Sequence, residues 1–273
     1  MREGELDARE QALVTVAREA GALARGLFSK PIEVKLKGKQ DYITAADSEV
    51  ERMIVGRLKA RFPDDAFLGE EGGASGDVSR QGDALWVIDP IDGTANFANR
   101  MPHFCVSIAF MSGGELALGA ICAPMYGELY RARQGRGAFL NDRAMRVSDA
   151  GIGQAVIELG WSSRRPTRAY TAMVERVLAT GATFQRAGSG ALGLAYVADG
   201  RTHGYCELHI NSWDTLAGLL MVREAGGWTN DFLAGDGLAR GNPVLACAPG
   251  LKETLVAATG VGQANENLKR RMS

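Results

Sequence analysis

Hydrophobic residues recur at two spacings along this chain, and these spacings predict where helices and strands lie. A period near 3.6 over residues 7–28 predicts an amphipathic helix whose apolar face consists of Leu13, Val16, Ala17, Ala20, Leu23 and Leu27. A second helix is predicted to open at Thr44 and Asp47, which fit a capping box, and its apolar stripe consists of Val50, Met53, Ile54 and Leu58. A structural role in that cap is the first explanation for Asp47.

Strand-like runs dominate the rest of the first half, and strands alternate with helices in the second. Runs at 106–111, 116–123 and 128–133 predict an antiparallel or mixed sheet, and GRGAFLND turns a hairpin into one more strand. Later strands are predicted at 156–160, 182–186, 203–208 and 244–248, and helices at 167–179, 191–198, 213–224 and 251–258. We expect a loose polar tail over 262–273. The pattern predicts two sub-domains, 1–150 and 151–273, that share one interface.

The most informative stretch is WVIDPIDGTANFAN, residues 86–99. Its first three residues indicate a buried strand, and the charge of Asp89 and Asp92 begins where that strand is predicted to end. Ligands collect at strand ends in open α/β sheets, and Pro90 and Gly93 can hold a tight turn that aims both carboxylates at one point. Such carboxylates repel each other unless protons or cations lie between them, which favours a metal site. Asp-Pro and Asp-Gly also form plain turns, so the run alone leaves both interpretations open.

Further acids shift the balance towards a metal site. Glu70 and Glu71 lie in LGEEGG, which is also typical of an exposed turn, and Asp214 stands at a predicted helix start, where the helix dipole alone favours an acid. Together these carboxylates supply oxygen ligands for more than one hard cation. An aspartyl-phosphate intermediate is disfavoured, because it requires two acids separated by one residue and Pro90 stands two positions before Asp92. The chemistry indicated is hydrolysis by a metal-activated water.

Composition and charge narrow the class of protein. The chain has 273 residues, of which 46% are hydrophobic and 23% charged, as in ordinary globular proteins, and its formal net charge of −1 gives no reason to expect a nucleic-acid partner. We expect neither a signal peptide nor a membrane span, because the charged N-terminus lacks an apolar core and no apolar run is long enough. Four separated cysteines without CxxC predict reduced thiols in a cytoplasmic protein. Three histidines and the absence of GxSxG disfavour a His-rich metal site and a serine hydrolase.

A glycine motif in the second half offers a competing hypothesis. Gly188, Gly190 and Gly193 match GxGxxG between a predicted strand and a predicted helix, and Glu207 lies at about the distance of a ribose-binding acid. A dinucleotide site is disfavoured, because the motif does not open a clean βαβ series and leaves the acids unexplained. The same helix start would equally receive a phosphorylated substrate.

Several motifs together resemble the inositol monophosphatase family. WVIDPIDGTANFAN resembles its first signature, and W-D-x-x-A-G followed by E-A-G-G, residues 213–227, resembles its second. GEEGG, GRGAFLN and the D-x-x-T-x-x-D pattern of Asp41, Thr44 and Asp47 occur in the expected order, so the resemblance covers residues 41–227. It implies an α+β fold, the layered αβαβα sandwich of the inositol monophosphatase and fructose-1,6-bisphosphatase type, commonly a homodimer and commonly inhibited by Li⁺.

The resemblance also implies two or three Mg²⁺ ions and their ligands. Glu70, Asp89 and the backbone carbonyl of Ile91 would hold the first ion, and Asp89, Asp92 and Asp214 would hold the second. A third ion would approach Glu70 through water. The sub-domain 1–150 would thus carry most of the metal ligands, and 151–273 would carry Asp214 and the substrate contacts.

Catalytic and substrate-binding residues follow from the same resemblance. Thr94, hydrogen-bonded to Asp47, would orient and help deprotonate a metal-bound water, and Glu70 would assist. The backbone N–H groups of Gly93 and Thr94 would receive the phosphate. The remaining substrate contacts would come from Gly188, Ser189, Glu207 and Asp214, whereas Glu71 would support its loop.

Two positions limit the comparison with the family. Leu216 stands where the family usually has a small residue, so packing behind Asp214 is expected to differ. The lysine near the metal site is either Lys35 or Lys37.

Residues and resemblance together predict a Mg²⁺-dependent phosphomonoester hydrolase acting on a small phosphorylated alcohol. Inositol monophosphate is the default substrate, and histidinol phosphate, 3′-phosphoadenosine 5′-phosphate and a sugar bisphosphate are alternatives within the same chemistry. A regulatory binding protein on the same fold is the second class. We expect neither nucleic acid nor a membrane as a partner.

Overall fold

The computed structural model describes residues 1–31, 34–38, 41–75 and 84–263, with side chains for 1–31, 45–74 and 84–263. In this part of the chain a hairpin pairs β1 (Val34–Gly38) with β2 (Asp41–Thr44). The strands of the first sheet are β3 (Ala66–Gly69), β4 (Gly73–Ser75), β5 (Leu85–Asp92), β6 (Cys105–Ser112), β7 (Glu115–Ala123), β8 (Glu128–Arg133), β9 (Gly137–Leu140) and β10 (Arg143–Ala144). Those of the second are β11 (Val156–Leu159), β12 (Thr183–Gln185), β13 (Gly204–Ile210), β14 (Trp228–Thr229) and β15 (Asn242–Cys247).

Helices flank and separate the two sheets. Within the described ranges they are α1 (Glu3–Phe28), α2 (Ala45–Arg61), α3 (Thr94–Ala98), α4 (Thr167–Ala179), α5 (Gly190–Ala198), α6 (Ser212–Glu224), α7 (Gly237–Arg240) and α8 (Lys252–Thr259). Single 3₁₀ turns lie at Ile152–Gln154 and Pro249–Leu251. Among the described helices, none has the length and apolar character needed to cross a membrane.

Both sheets mix parallel and antiparallel neighbours. The first has the order β10-β9-β8-β7-β6-β5-β3-β4, in which β3 and β5 run parallel and the other described neighbours run antiparallel. The second has the order β12-β11-β13-β15-β14, in which β12, β11 and β13 run parallel and β15 runs antiparallel to β13 and β14. The strand that carries the DPID sequence, β5, therefore lies inside the first sheet.

Alternation of side chains across the strands stacks the elements in five layers. On β5, Trp86 belongs to the apolar cluster of α1 and α2, whereas Leu85 belongs to the cluster of α5 and α6. On β13, Tyr205 joins the cluster of α5 and α6, whereas Cys206 packs with α4 and α8. The order is α1 and α2, first sheet, α5 and α6, second sheet, α4 and α8. The predicted αβαβα sandwich is confirmed.

Small residues let α6 lie close to its neighbours. A Cβ on Gly119 of β7 would come within 3.0 Å of the Ala217 backbone, and a Cβ on Gly218 would come within 2.5 Å of the Leu194 Cβ on α5. Larger residues at these glycines would push α6 away, because the interior is closely packed. The close approach places the start of α6 beside the end of β5.

One largely buried ion pair ties α1 to the first sheet. Arg9 donates to both carboxylate oxygens of Asp65, at 2.9 and 2.6 Å, and Trp86 Nε1 donates to Oδ2 of the same carboxylate at 2.8 Å. The guanidinium also lies over the Phe62 ring, 4.4 Å from its centroid. These contacts fix α1 over β5.

Most predicted element boundaries agree with the structure to within a few residues. The helix predicted over 167–179 is α4, with the same bounds. The main difference is β5, which continues to Asp92 although the apolar pattern predicted an end before Asp89. The strands β2, β3, β4, β10 and β14 and the short helices α3 and α7 were not predicted. The tail beyond 263 and the side chains of Thr44, Lys35 and Lys37 lie outside the described residues.

The division at residue 150 stays a prediction. Strands before and after this residue belong to different sheets, which is compatible with two sub-domains. However, α5 and α6 share one apolar cluster with strands of both sheets. The two halves are therefore joined by a common core.

Candidate active site

A one-residue bulge in β5 turns Asp89 and Asp92 to the same side of the sheet. Successive side chains of a strand face opposite sides, so positions three apart diverge in a regular strand. Against β6, Asp89 pairs with Ser107 and Asp92 pairs with Cys105, so three steps along β5 match two along β6. The extra residue brings both carboxylates to the side of α5 and α6, while Ile91 stays in the core beneath α1 and α2.

Pro90 and Gly93 suit this bulged strand end. Proline cannot donate to a sheet ladder, and inside a sheet it is tolerated at a bulge. Gly93 has a φ of 96°, and a Cβ there would lie 3.0 Å from the carbonyl oxygen of His103. The Ile91 N–H donates to Asp89 Oδ1 at 2.9 Å. These local requirements hold the turn in one conformation.

The third carboxylate comes from the start of α6. The N–H of Asn211 donates to Asp214 Oδ2 at 3.0 Å as part of a capping box. Ser107 on β6 donates to the carbonyl of Trp213 at 3.2 Å, which ties the start of α6 to the strand beside the bulge. As a result, oxygen atoms of Asp214 and of both β5 aspartates lie within 4.8 Å of one another.

Burial and mutual repulsion raise the pKa values in this cluster. Burial raises the pKa of Asp89 well above 3.8, and the charges of Glu70, Asp214 and Asp92 raise it further. Burial, followed by the charge of Asp92, raises the pKa of Asp214 to about 7. Without a cation, the cluster therefore holds protons near neutral pH. Its carboxylate donors suit a hard divalent cation such as Mg²⁺, which would replace those protons.

Asp92 is held by hydrogen bonds from the start of α5. The Ser189 hydroxyl and the Ala191 N–H donate to Oδ2, the latter at 2.7 Å, and the Gly190 N–H donates to Oδ1 at 3.3 Å. Burial raises the pKa of Asp92, and these hydrogen bonds oppose the rise. The positive end of the α5 dipole acts in the same direction. Because Oδ1 receives the longer contact, it has the greater capacity to bind a cation.

Thr94 begins α3 next to the bulge. Its hydroxyl lies 2.9 Å from the Ile91 carbonyl oxygen and 3.3 Å from Asp47 Oδ1, and its single proton can be donated to one of them at a time. Asp47 lies in the first turn of α2 and is 1% exposed. The predicted contact between Thr94 and Asp47 is therefore present, and it joins α2 to the turn after β5.

A second acidic turn lies beside the cluster. Glu70 directly follows β3, and its charge raises the pKa of Asp89. The turn is organised by Glu51 of α2, whose carboxylate accepts from the Glu71 N–H at 3.0 Å and from the Gly72 N–H at 2.6 Å. Glu51 therefore determines the shape of the loop that presents Glu70.

Glu51 was missed in the sequence, although a signal for it exists. Asp47, Glu51, Ile54 and Leu58 follow the 4-3-4 spacing of one helical stripe, and all four are buried. Acids on the buried stripe of a helix require polar partners. A Cβ on Gly69 would lie 2.5 Å from the Glu51 carboxylate, so the glycine-rich turn after β3 is the complementary signal.

A cavity of about 170 Å³ opens beside Asp92 and Asp214. Its wall includes Glu207, which accepts from the Tyr205 hydroxyl at 2.8 Å. Burial raises the pKa of Glu207 to about 8. Other lining residues that bear on substrate binding are Gly188, Ser189, Glu158, Trp161 and Arg186. The predicted substrate residues of the second half thus surround one cavity, and their contacts with substrate stay predictions.

The glycines of the GxGxxG motif have packing roles at the start of α5, where Gly188 and Gly190 line the cavity. Gly188 has a φ of 87°. A Cβ on Gly190 would lie 2.7 Å from Ile210 Cδ1, and a Cβ on Gly193 would lie 2.5 Å from the Tyr205 ring. Close packing and one left-handed backbone position therefore account for the motif without a dinucleotide.

The structure brings the predicted site residues into two adjoining groups. The first surrounds the carboxylate cluster and consists of Asp47, Glu70, Asp89, Ile91, Asp92, Gly93, Thr94 and Asp214. The second lines the cavity and consists of Gly188, Ser189, Glu207 and again Asp214. Ser189 is 2% exposed, and its hydroxyl is engaged with Asp92.

Comparisons with known proteins agree on one family. The chain matches the model of the inositol monophosphatase family over residues 5–264. Inositol-1-monophosphatase of Rhizobium meliloti is 42% identical over 210 residues, which cover 75% of this chain and 77% of the relative. Nus factor SuhB of Xylella fastidiosa is 40% identical over 229 residues, 82% of each chain. The crystal structure of extragenic suppressor protein suhB from Bartonella henselae matches with a TM-score of 0.86 at 36% identity and covers 93% of this chain and 99% of that one.

The fold and the carboxylate cluster define a layered αβαβα protein with a candidate metal centre. Together with the family match and the similar relatives, they show that the chain belongs to the inositol monophosphatase family. The resemblance inferred from the sequence motifs is confirmed.

Proposed function

We propose that this protein is a Mg²⁺-dependent phosphomonoester hydrolase that releases inorganic phosphate from a small phosphorylated alcohol. The observation that carries the proposal is the cluster of Asp89, Asp92 and Asp214, whose oxygens lie within 4.8 Å of one another beside a polar cavity. Family membership supports a phosphatase. Inositol monophosphate is the first substrate to test, because the Rhizobium meliloti relative is named inositol-1-monophosphatase.

The proposed metal ligands divide into two sets that share Asp89. Glu70, Asp89 and the Ile91 carbonyl would hold one ion, Asp89, Asp92 and Asp214 a second, and Glu70 would reach a third through water. When bound, Mg²⁺ would lower the pKa of water and neutralise charge on the phosphate and on the leaving oxygen.

The protein's own groups would position the proton and the substrate. The Thr94 hydroxyl lies within reach of both the Ile91 carbonyl and Asp47. We expect it to donate to Asp47 when the carbonyl is engaged, so that its oxygen can take up the proton of a water molecule while its own proton passes to the Asp47 carboxylate. The N–H groups of Gly93 and Thr94 would contact the phosphate, and Glu207, oriented by Tyr205, would contact hydroxyl groups of the alcohol.

Phosphate release at near-neutral pH, with Mg²⁺ and with EDTA, tests the proposal. The panel contains inositol 1-phosphate, histidinol phosphate, 3′-phosphoadenosine 5′-phosphate and fructose 1,6-bisphosphate. We expect turnover only with Mg²⁺, and the highest kcat/KM identifies the substrate class. Asp92→Asn should abolish turnover, whereas Asp142→Asn, which removes an exposed carboxylate between β9 and β10, should not.

Two results would contradict the proposal. Full activity in EDTA would exclude the metal role of the cluster, and full activity of Asp92→Asn would exclude the assigned ligand set. As further parts of the proposal, we expect a cytoplasmic homodimer inhibited by Li⁺, which light scattering and added LiCl in the same assay will test.

A regulatory binding protein is the second candidate, and one observation favours it. The Xylella fastidiosa relative, at 40% identity, is named Nus factor SuhB. A regulatory role through surface contacts would survive Asp92→Asn. Capture of the same partner by wild type and by Asp92→Asn, together with no phosphate release by the wild type, would favour this candidate.

A further inference from the structure

Ala187 is held on both sides of its backbone by buried residues from different layers. Its N–H donates to Glu158 Oε1 at 3.2 Å, and its carbonyl accepts from Asn96 Nδ2 at 2.9 Å. Glu158 lies on β11 and is 1% exposed, whereas Asn96 lies on α3 and is 8% exposed. One residue therefore links the second sheet to the short helix that begins at Thr94.

The residues that follow Ala187 supply the hydrogen bonds to Asp92. The Ser189 hydroxyl, the Gly190 N–H and the Ala191 N–H all donate to its carboxylate. A backbone displacement of about 1 Å would lengthen such contacts beyond hydrogen-bond distance. The position of Ala187 therefore determines how firmly the Asp92 carboxylate is oriented.

Asn96 and Glu158 make further hydrogen bonds close to Ala187. Asn96 Nδ2 also donates to the His103 carbonyl at 2.8 Å, and it lies 3.3 Å from the place a Cβ on Gly188 would take. Glu158 also accepts from Gln185 Nε2 at 3.1 Å, in the strand that leads into the loop. Deeply buried polar groups are tolerated when they are hydrogen-bonded. The partners of both side chains lie in the segment around Ala187 or, in the case of His103, just before β6.

We propose that Asn96 and Glu158 are positioning residues for Asp92, and that by holding Ala187 they set the affinity of the cation that Asp92 would bind. The inference rests on the proposed function, in which Asp92 is a metal ligand. The effect passes from the two side chains through the backbone of 187–191 to the carboxylate. Removal of partners that orient metal ligands typically weakens metal binding by about 10- to 100-fold.

The first test compares two asparagines of one short helix region. Asn96→Ala removes an anchor, and Asn99→Ala is the matched control, because Asn99 Nδ2 donates to the Ala95 carbonyl within the same turn. Mg²⁺ binding to the metal-free full chain is measured by isothermal titration calorimetry. We expect the Kd to rise by about tenfold in Asn96→Ala and to stay unchanged in Asn99→Ala.

The second test uses a conservative and a disruptive change at Glu158. Glu158→Gln keeps an oxygen for the Ala187 N–H, and the Gln185 amide can turn to match it, so we expect a Kd close to that of the wild type. Glu158→Leu removes the acceptor and should weaken Mg²⁺ binding by about tenfold. If Asn96→Ala does not fold, this pair decides the question.

Two outcomes would overturn the positioning role. Lower Tm values with unchanged Kd values in Asn96→Ala and Glu158→Leu would make both residues structural, and a higher KM with unchanged Kd would make Glu158 a substrate contact. The proposed function is judged separately by the wild type. A wild type that is silent on the phosphate panel, yet binds Mg²⁺ more tightly than Asn96→Ala, contradicts the function and supports the positioning role.

Discussion

Replacement of Asp214 by asparagine should stabilise the metal-free protein, and more so as the pH rises. The substitution keeps an oxygen that can accept from the Asn211 N–H at the start of α6. It removes the carboxylate that forms a cluster with Asp89 and Asp92. The variant therefore removes a negative charge from the site and leaves the side-chain packing nearly unchanged.

The size of the effect follows from the pKa of Asp214. Burial and the charge of Asp92 raise this pKa from 3.8 to about 7. The wild type therefore has its full stability below pH 3.8. Its free energy of unfolding falls by about 1.4 kcal/mol per pH unit as the pH rises from 3.8 to about 7. The asparagine variant lacks this loss. Asp214 is partly exposed, so solvent screening reduces the effect. We expect the free energy of unfolding of Asp214→Asn to gain about 1–2 kcal/mol over that of the wild type between about pH 5.5 and pH 8.5.

The assay is urea unfolding in EDTA, followed by tryptophan fluorescence at both pH values. Asp142→Asn is the control, because it removes one exposed carboxylate away from the cluster. Saturating Mg²⁺ should then stabilise the wild type more at the higher pH, where protons compete less for the carboxylates, and should stabilise Asp214→Asn less than the wild type. A stability difference between Asp214→Asn and wild type that is flat with pH, or that shrinks as the pH rises, would refute the reasoning.

Three further predictions concern stability, catalysis and the cavity. Asp65→Ala leaves the arginine of α1 without its carboxylate, and urea unfolding should show a loss of about 3 kcal/mol; a loss below 1 kcal/mol would contradict the anchoring role. Thr94→Ala should lower kcat by at least about tenfold with an unchanged Mg²⁺ Kd by calorimetry, and a change in KM alone would limit Thr94 to substrate binding. Gly160→Ala places a Cβ 2.0 Å from Glu207 Oε2 and should raise KM by about tenfold in steady-state assays, whereas Gly153→Ala, with open space around its Cβ, should not; equal KM values would separate Glu207 from substrate binding.

Much of the fold could be predicted because its elements obey simple periodicities. The helix α4 and the strands β6, β7 and β8 are bounded by changes in apolar spacing, and the structure places them where the pattern does. The five-layer order came from the family resemblance, since periodicity shows which face of an element is apolar and does not show which element covers it. The two-residue strand β14 is too short to produce any period.

The course of β5 shows where pattern analysis fails. Its apolar run stops at Ile88, and the acid and proline that follow are typical of a strand end. The strand nevertheless continues, because a bulge accommodates the proline and the inserted residue changes the face of the carboxylate after it. Spacing along one strand cannot show this, since a bulge is defined by the partner strand.

Contacts within the site that escaped prediction join residues far apart in the sequence. Ser189, which was expected to contact substrate, has its hydroxyl on Asp92, 97 positions away. Asn96 lies inside the best-recognised motif, but its partner Ala187 is 91 positions away. Local patterns identify such residues as polar and buried at best. Their partners are fixed by the stacking of layers.

The bulge in β5 also limits how this centre could be transferred to another protein. A designer who copied only Asp89 and Asp92 onto a regular strand would direct one carboxylate to each face of the recipient sheet. Deletion of one residue between them in this chain would instead leave the aspartates two positions apart, in register with the two steps on β6, so both carboxylates would still face the same side of the sheet. A successful graft must copy the bulge together with its register against the neighbouring strand, or else place the two aspartates two positions apart. In either case the backbone directs both carboxylates to one face.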